Sequence, residues 1–208
     1  MFKGTSASAG IGIGKAVIVE EAELVITRNE VADAEAEIQR FKGALEKTIA
    51  ATQKMADDLA SRVGEKEAEI MQGHMMLLSD PMLTGEIENS VKNDKVNCEF
   101  AIENVCNMYA DMFASMGDEL MQQRATDMRD IKVRMQRTLM GLESVDVSLL
   151  PKGSILVAKD LTPSMTAGIN PENVSGIVTE LGGKTSHSAI LARALEIPAV
   201  VAVNGLMD

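Results

Sequence analysis

SGIVTELGGKTSHSAILARALEIPAVVA, Ser175 to Ala202, is the stretch on which the fold turns. SGIVTE (175–180) is a short β-branched run bounded by turn residues, as is SILVAKD (154–160) before it. Gly182 and Gly183 supply the backbone freedom of a turn, and Ser188 to Leu195 is helical in character. Ile197 to Ala202 then reads as a strand. Strands alternating with helices predict an α/β layer after Pro151.

Upstream the period is different. Ile38, Phe41, Leu45, Ile49, Thr52, Met55, Leu59 and Val63 recur at three- and four-residue spacing, which predicts a long amphipathic helix interrupted at Gly64. Glu65 to Leu78 continues as a second helix, and Ser79-Asp80-Pro81 ends it because proline disfavours helix at the residue before it. Leu83, Ile87 and Val91 mark a third helix. Further stripes predict helices over 101–120 and 122–142. These make a helical bundle.

GIGIGKAVIV (10–19) reads as a glycine turn entering an edge strand. It is not a P-loop, because Ala9 and Ala16 stand where GxxxxGK[ST] needs glycine and a hydroxyl. Nor is it a dinucleotide fingerprint, because a strand follows the glycines instead of a helix. With no sheet of its own, this strand joins the later ones. The expected architecture is an α/β domain built from residues 1–20 and 146–208, with an all-α bundle, 21–145, inserted in it.

Charge separates the two parts. Residues 20–147 hold 26 acidic and 14 basic side chains, a net of −12, whereas the flanks hold 5 and 6, a net of +1. A chain of net charge −11 lacks the clustered cations that nucleic-acid binding needs, and a partner steered by the bundle should be basic. Fifteen methionines and five aromatic residues suit a core of helix–helix contacts. Cys98 and Cys106 lack metal or redox spacing and read as reduced thiols. No signal peptide or membrane-length apolar run is visible, so the expected location is the cytoplasm.

The chain has two histidines. Thr185 and Ser186 are good helix N-caps, which puts His187 in a first helical turn, where amide N–H groups and the positive dipole end converge. The dipole disfavours the imidazolium, and the same amides suit an anion carried on the ring. A phosphoryl-accepting histidine uses both properties. Lys184 would offset charge, Ser186 and Ser188 would donate hydrogen bonds, and Arg193 follows on the same helix. No carboxylate neighbours the ring in sequence, and a GxSxG elbow is missing. On spacing alone, a histidine that merely bonds a neighbouring strand is an equal reading.

TELGGKTSHSAILARALEIPAVV (179–201) resembles the phosphohistidine motif of phosphoenolpyruvate-utilising enzymes. GTSASAGIGIGKA (4–16), MQGHMMLLSDPML (71–83), RATDMRDI (124–131) and DLTPSMTA (160–167) are similar to enzyme I of the bacterial sugar phosphotransferase system, in the same order. The resemblance implies that phosphoenolpyruvate phosphorylates His187 at the ring nitrogen farther from the backbone. The phosphoryl group then passes to a histidine of the carrier protein HPr. Thr166 would orient the other ring nitrogen, and Gly182 and Gly183 would form the phosphate turn. Magnesium and phosphoenolpyruvate are implied to be held by a C-terminal barrel that this chain lacks, with no metal site here. The full-length enzyme would dimerise, and the fragment would be monomeric.

The resemblance also implies that HPr docks on the bundle. The matching residues are Glu65, Glu67, Glu69, Gln72, His74, Met76, Asp80, Leu83 and Arg124, acids around apolar contacts. Two alternatives stand beside this reading. One is the swivelling domain of a dikinase, against which the large helical insertion speaks. The other is an interaction module with a silent histidine, which would bind HPr without carrying acid-labile phosphate.

Overall fold

A computed structural model describes residues 2–208 of the chain. The chain divides into two compact units, one of Met1–Ala22, Asp57–Glu69 and Val145–Asp208, the other of Glu23–Ala56 and Ile70–Ser144.

The first unit is built on five strands: β1 (Thr5–Ser8), β2 (Lys15–Val19), β3 (Ser154–Ala158), β4 (Val174–Thr179) and β5 (Ala199–Val201). Their order is β1-β5-β4-β3-β2, with β2 to β5 parallel and β1 antiparallel to β5. Two helices complete it, α6 (Pro163–Ala167) and α7 (His187–Ala194), numbered after the five of the bundle. Parallel strands covered by helices lose the polar alternation of an exposed sheet, and β3 is correspondingly almost continuously apolar. Leu156, Ala158, Ile177 and Val201 of the sheet pack with Met165 of α6 and with Ala189 and Ala192 of α7.

β1 and β2 are neighbours in sequence but lie on opposite edges of the sheet. The glycine segment between them must therefore cross the ends of three strands. A Cβ at Gly12 would collide with the Ser175 carbonyl oxygen, and one at Gly14 with that of Gly153. The edge strand is where the sequence put it, but these glycines serve close backbone approach and not only a turn. Gly12→Ala is expected to destabilise the sheet unit by about 1–3 kcal/mol through overpacking, read as a lowered thermal midpoint. An unchanged midpoint would contradict the crossing.

Two elements were not foreseen. β1 is TSAS, too small and polar to signal a strand, and acquires its conformation from pairing Thr5 with Val201 and Ser6 with Val200. α6 is only five residues long, yet its start is written locally. Thr162 accepts from the Met165 amide, and Pro163 occupies the first turn.

Five helices, apart from Asp57–Glu69, make the second unit: α1 (Ala34–Arg62), α2 (Glu65–Leu78), α3 (Pro81–Asp94), α4 (Cys98–Ser115) and α5 (Glu119–Met140). Asp80 caps α3 by accepting from the Met82 amide, with Pro81 in the first turn. Asp118 caps α5 through Met121, and Gly141 closes it in the left-handed region. Phe41, Leu78, Ile87, Val91, Ile102, Met128, Ile131 and Met135 form the core. Cys98 and Cys106 are both buried free thiols on α4, each pushed up to about 12, chiefly by burial.

The sequence boundary needs one correction. Residues 21–145 were expected as a single inserted block, but Asp57–Glu69 belongs with the sheet. The reason is visible at Arg62, whose guanidinium bonds the Ala167 and Ile169 carbonyls just past α6. A helical period reports that α1 continues. It does not report which core its last turns join.

Two glutamates make the helical unit acid-sensitive. Burial alone would raise Glu103, but hydrogen bonds from Gln136, Lys132 and Asn107 outweigh it and hold its carboxyl low. At Glu37, burial is likewise outweighed by Arg40 and the Cys98 amide. A carboxylate depressed by folding adds stability that is present above its unfolded value and lost as pH falls through the folded one. The unit is therefore expected to lose stability as pH drops below about 4.3, the ordinary glutamate value. Glu103→Gln should flatten that loss in denaturant titrations, and an identical pH slope would count against it.

Candidate active site

The site in the sheet unit starts where β4 ends. The Leu181 amide donates to the Lys159 carbonyl at 2.8 Å, and the Thr179 hydroxyl to the Leu181 carbonyl at 2.7 Å. Gly182, at φ +96°, then turns the chain through a conformation that a side chain would strain. Ser186 is the N-cap of α7. Its hydroxyl accepts from the Ala189 amide at 3.3 Å and donates to the Gly183 carbonyl at 2.8 Å, closing the turn. His187 is the first residue of α7, as the sequence placed it, and keeps 9 % of its surface exposed.

The neighbours divide by task. The Ser186 hydroxyl proton is committed to Gly183, so Ser188, 2.9 Å away, is the donor between the two serines. In this arrangement Ser186 shapes the turn. Lys184 is exposed, with its carbonyl bonded by Arg193 Nη1 at 2.9 Å. The same nitrogen donates to the Ala7 carbonyl at 3.0 Å, so Arg193 ties the glycine turn to β1. Thr166 lies on α6, buried, with its hydroxyl donating to the Thr162 carbonyl at 2.7 Å. α6 packs against α7, which brings the elements of Thr166 and His187 together.

The residues read as a docking surface separate by helical face. On α2, Glu65, Glu69, Gln72 and Met76 are all exposed, at spacings of four, three and four. Glu67 is half-buried, and Asp80 is spent on capping α3. His74 and Leu83 do not belong to a surface. His74 is fully buried, with Nε2 3.1 Å from Asp127 Oδ1 and Nδ1 3.7 Å from Asp130 Oδ2. Leu83 lies in the bundle core. The signal was present: Ala68, Met71, His74 and Leu78 share the inward stripe of α2. Arg124 is half-buried, Nη1 3.6 Å from Asp127 Oδ2, and lies across Gly73. Beyond these, Met108 and Met112 of α4, with Met116 at its C-cap, form an exposed stripe of four-residue spacing.

Residues 3–124 match the family model of the PEP-utilising enzyme, N-terminal, and residues 150–208 that of the PEP-utilising enzyme, mobile domain. A solution NMR structure of Enzyme I superposes with a TM-score of 0.85 at 39 % identity, over 100 % of this chain and 85 % of that one. The chain belongs to the enzyme I family. The phosphoenolpyruvate-protein phosphotransferase of Bacillus subtilis is 43 % identical over 96 % of this chain. That of Enterococcus faecalis is 41 % identical over all of it. This enzyme I chain spans only 35 % and 36 % of those two relatives' lengths. A structure titled as the N-terminal domain of the nitrogen-type Enzyme 1 is more distant, at 26 % identity and a TM-score of 0.66. Among the described residues, no helix is long and apolar enough to cross a membrane. Nor does any group of three His, Cys, Asp or Glu side chains suit a metal ion.

Proposed function

We propose that this chain carries a phosphoryl group on His187 and exchanges it with a histidine of the carrier protein HPr, phosphoenolpyruvate being the original donor in the longer enzyme. The observation that carries this is the placement of His187 as the first residue of α7, behind a glycine turn closed by Ser186. Ring attack on phosphorus forms the Nε2–P bond as the bond from phosphorus to the donor breaks. For HPr, the released group is the carrier's imidazole. For phosphoenolpyruvate, it is the enolate of pyruvate. Such a loose transfer asks for alignment and charge stabilisation more than for a strong base. Ser186 and Arg193 supply alignment by fixing the turn, and Lys184 and the first-turn amides of α7 would meet phosphate oxygens.

Carrier docking is assigned to the exposed face of α2, Glu65, Glu69, Gln72 and Met76, supplemented by the methionine stripe of α4. Acids steer a basic partner from a distance, while flexible thioethers adapt to its apolar contacts. Thr166 is proposed to orient the His187 ring. Magnesium, in this reading, assists phosphoenolpyruvate outside this chain, and no step here passes through it. A cytoplasmic location and dimerisation of the longer enzyme belong to the same proposal. Incubation with phosphorylated HPr tests it: acid-labile phosphate should map to His187, and label elsewhere, or none, overturns it.

A further inference from the structure

Arg62 ends α1, and its guanidinium is turned onto the segment that leaves α6. Nη1 donates to the Ile169 carbonyl at 2.6 Å and Nη2 to the Ala167 carbonyl at 2.7 Å. Nε donates to the Asp58 carbonyl at 3.2 Å, which fixes the side chain against its own helix. All three side-chain nitrogens are engaged. The two distant acceptors sit where a helix has run out of amide partners for its carbonyls. A planar fork can hold both at once, whereas the single ammonium of lysine cannot reproduce that geometry.

The site gives this clamp a consequence. α6 is one short turn of helix, too short to hold itself in place. It is also the element packed against α7, whose first residue is His187. Thr166, on α6, is 2 % exposed, so a small shift of α6 is felt directly in the packing around α7. We propose that Arg62 is a positioning residue of the phosphoryl site: it holds α6 by its exit carbonyls, and so holds the wall beside α7. The functional half of this rests on the phosphoryl-transfer reading. The geometric half does not.

The test uses Arg62→Gln and Arg62→Lys in the 208-residue chain. Three quantities are compared with the unsubstituted chain: the single-turnover rate of phosphate exchange with saturating phosphorylated HPr, the affinity for HPr, and the ring 13C and 15N resonances of His187. Arg62→Gln should slow exchange by about tenfold to 100-fold, the range expected for an ångström-scale misplacement. Affinity should stay unchanged and the His187 resonances should shift or broaden. Arg62→Lys should restore little. A merely structural role would lower the thermal midpoint yet leave rate and ring resonances unchanged well below it, and that result overturns the proposal. If the unsubstituted chain takes no phosphate, the phosphoryl reading fails by itself. The His187 resonances then decide alone: moved in the variants, Arg62 positions the ring; unmoved, it does not.

Discussion

His187→Ala is expected to remove all acid-labile phosphate after incubation with phosphorylated HPr, a loss of the whole signal. The chain has one other histidine, His74, which is fully buried between Asp127 and Asp130 and cannot substitute as acceptor. Because His187 is itself largely covered, alanine leaves a small cavity, and its cost must be separated from the chemistry. His187→Gln is the companion variant: it preserves bulk and a polar tip but offers no imidazole nitrogen. Both should retain the fold, checked by the thermal midpoint, and both should bind HPr as the unsubstituted chain does. Phosphate that persists on either variant would end the assignment.

Reversing charge on α2, with Glu65→Lys and Glu69→Lys together, is expected to weaken HPr association by about tenfold to 100-fold at low salt, chiefly through a slower on-rate. The loss should shrink as ionic strength rises, since exposed charges are screened over about 8 Å at physiological salt. One side effect must be controlled. Glu65 lies in the first turn of α2, where a negative charge favours the helix by about 0.3–1 kcal/mol. The neutral pair Glu65→Gln and Glu69→Gln removes attraction without adding repulsion and should fall between the extremes. Reversal at Glu46, an exposed acid on α1, should leave association nearly unchanged. Equal binding by the α2 double reversal and the unsubstituted chain would remove α2 from the docking surface.

Much of the architecture and part of the site could be read before any coordinates. The stripes over 38–63 and 65–78 became α1 and α2, and the break at Gly64 fell between them. Ser186 proved to be the cap that its residue type and position suggested. The errors have physical causes. His74 was weighed by its chemistry, a histidine in a motif, although helical period alone set it on the inward face with Met71 and Leu78. The glycines of the β1–β2 connection were read for turning, since nothing local announces that another backbone passes beside them.

What the sequence determined by itself was whatever is settled within a few residues: helical period, the Ser186 cap, and the placing of His187 at a helix start. Tertiary structure alone decided the pairing of β1 with β5, the crossing of Gly12 and Gly14 over strand ends, and the membership of Asp57–Glu69 in the sheet unit. The reason is separation along the chain. Arg62 and Ile169 are 107 residues apart, and Arg193 and Ala7 are 186 apart. No local preference records contacts of that span, which exist only once the sheet unit has assembled.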